Sequence, residues 1–100
     1  MNDHARLMRF AVLIDAENSS PQIAEGLFDE VAEIGEASVR RIYGDFSEGR
    51  LKGWVQKMPQ HAMIAQQQFA HTSGKNACDI ALVIDAMDLL HRGQLDGFCL

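Results

Sequence analysis

The sequence predicts a three-layer α/β fold, a mostly parallel sheet of about four strands with helices on both faces. Three observations predict it. Residues 9–15, Arg-Phe-Ala-Val-Leu-Ile-Asp, form an almost unbroken apolar run, the pattern of a strand covered on both sides of a parallel sheet. Strand-like segments then alternate with segments at helical spacing along the whole chain, which implies right-handed crossovers. The composition also suffices for a core, since 47% of the 100 residues are hydrophobic and only two are proline.

Each element has a local cause. After the strand at 9–15, Ser20 can cap a helix whose first turn takes Pro21, and Ile23, Leu27, Val31 and Ile34 follow at helical spacing, predicting a helix over 21–34. Gly35 ends it. Ala37 to Tyr43 alternates Val39, Arg41 and Tyr43 against Ser38, Arg40 and Ile42, a second strand broken by Gly44-Asp45. Leu51, Trp54, Val55 and Met58 on one side predict a helix over about 50–59, with Pro59 at its end. His61 to Phe69 alternates weakly and reads as a third strand at a sheet edge. A loop over 71–75 leads into a helix from Asn76 to about Arg92, stopped by Gly93. Asp96 to Leu100 begins a fourth strand. No repeat, linker or low-complexity tract interrupts the chain.

Several classes are excluded. Cys78 and Cys99, 21 positions apart without a second pair, suggest neither a zinc ribbon nor a disulfide framework, and reduced thiols fit a cytoplasmic protein. The apolar run Phe10–Ile14 is too short for a signal-peptide core or a membrane span. Gly74-Lys75 lacks the upstream glycine and following hydroxyl of a phosphate-binding loop. Neither Ser73 nor Cys78 has a recognisable base nearby. His4, His61, His71 and His91 form no ligand pattern and read as surface residues. The net charge of −5 is uneven: residues 37–57 carry five basic and two acidic side chains. Arg40, Arg41, Arg50, Lys52 and Lys57 there can face phosphates or simply form a solvated surface.

The informative residues are acids in costly places. Asp15 closes the first strand, and ligands of open parallel sheets bind beyond the carboxyl ends of the strands, where strand order reverses. An Asx turn assisted by Asn18 and Ser20 is the competing explanation. Asp79 is sharper. Unrolled at ~100° per residue, the helix places it between Leu82, Ala86 and Leu89 on one side and Ile80, Val83, Met87 and Leu90 on the other. A carboxylate buried there needs a cation, a hydrogen-bond network or a site opening beside it. The helix dipole and Lys75 are its alternative partners. Asp85 falls at the margin of the apolar face, and Asp88 in the solvated sector. Two acids aimed at one sheet edge repel unless a divalent cation lies between them, and oxygen donors favour Mg²⁺ or Mn²⁺.

Three blocks, Val12-Leu-Ile-Asp15-Ala-Glu-Asn18, Arg41-Ile-Tyr-Gly-Asp-Phe46 and Gly74-Lys-Asn-Ala-Cys-Asp79-Ile-Ala-Leu-Val-Ile-Asp85, resemble in order those of the NYN domain of the PIN-like nuclease superfamily. The resemblance implies a PIN-like, Rossmann-like fold and metal-dependent ribonuclease chemistry on RNA. Asp15 and Asn18 match the family's first motif, whose aspartate is a metal ligand. Asp79 matches its second acid, and Asp85 a further acid of the same helix. Asp15, Asn18, Asp79 and Asp85 are therefore the candidate catalytic residues, with Asp15 and Asp79 holding Mg²⁺ or Mn²⁺. The family continues into a Ser-x-Asp-x-Asp segment that this sequence does not reach. Residues 1–100 thus read as the N-terminal portion of one domain, inactive by itself. An incomplete sheet leaves an unpaired strand edge, an opening for self-association.

The expected activity is hydrolysis of RNA, single-stranded by preference, with the 37–57 segment guiding phosphates. The alternative is a non-catalytic RNA-binding or regulatory module on the same fold. A phosphotransferase of the haloacid-dehalogenase kind also carries an Asp after a central strand, but Glu17 stands where its second Asp belongs.

Overall fold

The apolar run at 9–15 becomes one of the two inner strands of a four-stranded parallel sheet. In a computed structural model the chain is described over residues 8–47, 49–68, 77–93 and 95–99, with the backbone alone for 77–79, 98 and 99. The strands are β1 (Arg9–Asp15), β2 (Glu36–Gly44), β3 (Ile64–Gln67) and β4 (Gly97–Cys99), in the order β3-β2-β1-β4. The helices are α1 (Ala24–Ile34), α2 (Lys52–Lys57) and α3 (Ala77–Arg92). The chain moves outward from β1 to β2 to β3, then crosses back to place β4 on the other side of β1. The order therefore reverses beside β1, the strand that Asp15 closes.

The period-two alternation of β1 sorts its side chains onto two faces. Val12, Ile14 and Ala16 pack with Ala24, Phe28 and Val31 of α1, with Ile42, and with Leu51 and Trp54 of the α2 region. Ala11 and Leu13 pack on the opposite face with Tyr43 and with Leu82 and Leu89 of α3. Ala11, Val12 and Leu13 have no exposed surface, as expected of a strand covered on both sides. Burial of a side chain the size of Leu13 contributes about 2 kcal/mol.

The predicted boundaries shift where local bonds intervene. Ser20 does cap a helix start, its Oγ accepting from Gln22 N at 3.3 Å, but Pro21–Ile23 form a 3-10 turn before α1 begins. The third strand begins at Ile64 rather than His61, and α2 spans only Lys52–Lys57. Met63 N donates to Met58 O at 2.9 Å and Arg40 Nη1 to His61 O at 2.7 Å, folding 58–63 back against α2. Residue 69, the 71–75 loop and Asn76 lie outside the described residues. Gly93 ends α3 at φ +66°, a conformation that favours glycine. Asp96 prepares β4 by exchanging two 2.7 Å bonds with the Arg9 backbone.

The face of α3 that meets the sheet differs from the one expected. Leu82 and Leu89 are buried, whereas Ile80, Val83, Met87 and Leu90 are 56–61% exposed. Asp85, placed at the margin by its helical angle, instead reaches β2. Leu82 and Leu89 pack on Ala11 and Leu13 of β1 and Tyr43 of β2, with Ala81 and Ala86 beside them. Asp88 is solvated as expected and pairs with Arg92 at 3.0 Å.

Candidate active site at the carboxyl edge

The β1–α1 loop is built around the Asp15 carboxylate. Its Oδ1 accepts from the Glu17 backbone N–H at 3.0 Å, and its Oδ2 from Asn18 Nδ2 at 2.7 Å. Asn18 N closes the same turn onto Asp15 O at 3.2 Å, and Ala16 N continues the ladder onto Tyr43 O at 2.8 Å. The Asx turn and the functional placement thus coexist: the turn orients a half-buried carboxylate at the point where strand order reverses. Each oxygen accepts one bond and keeps a further lone pair, so the group can still serve as a hard oxygen donor.

Glu17, whose role the sequence leaves unread, ties two loops together. Its carboxylate takes both ends of the Arg50 guanidinium, and its Oε2 also accepts from Asp45 N at 3.0 Å. The Arg50 guanidinium holds the Glu17 carboxyl below its ordinary value of 4.5, and the Asp45 N–H adds to this against the effects of burial and the nearby Asp15 charge. Asp45 is itself buried; its Oδ1 accepts from Ser47 N at 3.1 Å, from Ser47 Oγ, and from Gln67 Nε2 at 2.8 Å. Gln67 Oε1 accepts in turn from Phe46 N at 3.0 Å. Gly44 lets these loops close, because a Cβ there would lie 2.7 Å from Leu51 Cδ1 and 3.2 Å from Ala16 Cβ. The signal for this cluster was the Gly44-Asp45 break after the second strand, which reads as turn chemistry.

On the other face, Asp85 Oδ2 accepts from Tyr43 Oη at 2.7 Å and lies 3.4 Å from Arg41 Nη1. Burial above all, and then the Asp85 carboxylate, push the Tyr43 phenol well above its ordinary value. The helix runs against the strands. Asp85 is level with Arg41 and Tyr43, while Leu89 and Arg92 line a hollow with Arg9 and Ser38 at the amino edge. Six residues before Asp85, or about 9 Å along the axis, Asp79 lies on the first turn of α3, at the carboxyl edge that Asp15 occupies. Its side chain, like that of Cys78, lies outside the described residues, as do His4, His71 and Lys75. Among the described residues, no three His, Cys, Asp or Glu groups converge as an ion-binding cluster.

Most cations of the basic segment have partners within the chain. Arg50 is held by Glu17, Arg41 faces Asp85, and Lys57 pairs with Glu25 at 3.3 Å. Arg40 donates to Ala37 O at 2.9 Å and to His61 O, with its guanidinium 5.3 Å from the Phe28 ring centroid. Lys52 remains exposed. In a chain of net charge −5, carboxylates and carbonyls are the nearest acceptors for these cations. His61, expected at the surface, is half-buried: its ring stacks on Phe28 at 4.7 Å, and its Nε2 is buried without a partner.

The sheet order and the acid at its reversal point accord with one known family. Residues 9–100 match the NYN domain. The chain belongs to the NYN domain family. No curated protein and no solved structure matches it. Membership of the NYN family points to nuclease-like, ribonuclease-type proteins with RNA as the substrate class, and the PIN-like superfamily assignment fits it. NYN and PIN-like nucleases generally depend on divalent metal. No helix among the described residues is long and apolar enough to cross a membrane.

Proposed function

We propose that this NYN domain is the N-terminal portion of a metal-dependent endoribonuclease, working in the cytoplasm, that hydrolyses RNA phosphodiesters. The observation that carries the proposal is Asp15: a half-buried carboxylate, oriented by Glu17 N–H and Asn18 Nδ2, at the switch point of a parallel sheet. The donor set fits a hard cation, because Asp15 and Asp79 offer carboxylate oxygens and no described His or Cys competes. Asp15 and Asp79 would hold Mg²⁺ or Mn²⁺, with further acids from the later segment that the family resemblance implies. When bound, the ion supplies an activated water and neutralises charge on the phosphate.

The chain's own residues do the rest. Asn18 fixes the Asp15 carboxylate in one rotamer through its amide. Glu17, kept ionised by Arg50, locks the β1–α1 loop to the loop after β2, so the edge is rigid before substrate arrives. The α3 N-terminus contributes its dipole to the Asp79 position. Lys52, exposed at the first position of α2, is the cation of the basic segment left to meet a phosphate. Single-stranded RNA is the substrate that an open sheet edge accommodates without base readout.

The test is Mn²⁺-dependent cleavage of single-stranded RNA by a chain extended through the Ser-x-Asp-x-Asp segment, compared with its Asp15→Asn variant. Cleavage abolished by the substitution, together with weakened Mn²⁺ binding, is the expected result. An inert extended chain whose Mn²⁺ binding ignores Asp15→Asn would overturn the reading.

A further inference from the structure

Asp85 is an acid of α3 that the metal reading above does not use. Among the described residues, α3 meets the sheet through two buried large side chains, Leu82 and Leu89. Seven residues apart, they fall within about 20° of one line along the helix. Ala81 and Ala86 pack on either side of that line but end at Cβ, so they constrain the helix's roll less than a longer side chain does. Asp85 stands between the two leucines and about 40–60° off that line, and it is the position that Tyr43 and Arg41 engage at 2.7 and 3.4 Å. Both partners project from β2, and Tyr43 is fully buried and paired with Asp15 across the β1–β2 ladder.

The size of the effect matters. At a side-chain radius of about 5 Å, a roll of about 20° moves a side-chain tip by about 2 Å. Mg²⁺ tolerates far less, since it demands near-ideal octahedral geometry. Arg41 also argues against Asp85 as a ligand, because a guanidinium beside the same carboxylate oxygen repels a dication. The Tyr43 phenol retains its proton throughout the working range, so its hydroxyl remains a donor.

We infer that Asp85 is a positioning residue: held by Tyr43 and Arg41, it sets the roll at which α3 carries Asp79 toward the ion at Asp15. The inference rests on the metal site proposed above.

The experiment is Mn²⁺ titration of the chain extended through the Ser-x-Asp-x-Asp segment, followed by electron paramagnetic resonance, for Tyr43→Phe, Asp85→Asn, Asp85→Ala and the Tyr43→Phe/Asp85→Ala double variant. Far-ultraviolet circular dichroism establishes that each is folded. Tyr43→Phe and Asp85→Ala should each weaken binding about 10-fold, the scale of an outer support to a metal ligand, and the double variant no further. Asp85→Asn should stay close to the unsubstituted protein, because its amide oxygen still accepts from Tyr43 Oη. Asp85→Asn as damaging as Asp85→Ala, with Tyr43→Phe harmless, would make Asp85 a direct ligand and overturn the inference. Mn²⁺ binding that every one of these variants retains would overturn it too, leaving the Asp15 site standing. Absence of Mn²⁺ binding in the unsubstituted chain would instead overturn the metal reading, and the inference with it. If Asp85→Ala fails to fold, the comparison of Tyr43→Phe with Asp85→Asn still decides.

Discussion

The hydroxyl of Tyr43 donates a 2.7 Å hydrogen bond to Asp85 Oδ2, joining the central sheet to α3 one face away from the Glu17 network. The bond connects a residue level with Asp15 to the helix that bears Asp79. Two separate networks, one on each face, therefore converge on a single sheet edge.

Tyr43 is the chain's single tyrosine, so absorbance near 295 nm reads it alone. Its ionisation should begin well above the ordinary value of 10.0. Asp85→Ala should bring it only partly back, because burial is the larger cause of the rise. With the folded value raised, the contribution to stability is complete below pH 10 and is lost as pH climbs toward the folded value. A titration in the folded protein at the ordinary position would contradict the bond. Tyr43→Phe should cost about 1–2 kcal/mol in denaturant unfolding.

Glu17 works in the opposite direction. Its folded value is depressed, so its stabilising effect is present above 4.5 and is lost as pH falls through the lower folded value. Glu17→Gln should flatten the acid limb of stability as pH falls below 4.5. Unchanged acid limbs in the two proteins would show that Arg50 does not hold this carboxylate.

His61 stacks on Phe28 with a buried Nε2 that has no partner. Replacing it by Phe keeps the stack and removes a desolvated nitrogen. We expect His61→Phe to raise unfolding free energy by about 1 kcal/mol, measured by urea denaturation. A loss of that size would mean that the nitrogen is satisfied in solution.

Trp54 is 1% exposed, and its Nε1 donates to Ser19 O at 3.1 Å, anchoring α2 to the loop that follows Asp15. Trp54→Phe should lose this bond and part of the packing, about 1–3 kcal/mol, whereas Trp54→Ala should cost about 3–5 kcal/mol. If the loop is anchored as described, hydrogen exchange of the Ala16 and Asn18 amides should quicken in Trp54→Phe. Exchange unaltered there would separate α2 from the site.

Much of the fold was legible because it depends on short-range patterns. The run at 9–15, the Ser20-Pro21 start and the Gly35 and Gly93 stops each act over a few residues, and each marks an element or its boundary. Asp15 was legible for the same reason, as a carboxylate closing an apolar strand. The α3 face was misjudged because helical periodicity gives relative angles but no absolute orientation. Both flanks of α3 are apolar, and only the packing against β1 and β2 selects Leu82, Asp85 and Leu89. The partners of the basic segment were not legible because a charge count does not reveal them: Glu17 is 33 positions from Arg50, and Asp85 is 44 from Arg41.

The sequence by itself determined the α/β class, the central strand, the acid at its end and the resemblance to the NYN domain, all set by residue type at local spacing. Only the tertiary structure decided that β4 returns beside β1, that Glu17 and Asp45 brace the candidate edge, and that Asp85 is held by Tyr43. Those relationships depend on which surfaces meet once strands pair. Pairing is a long-range outcome of burying both faces of β1, and no local spacing encodes it.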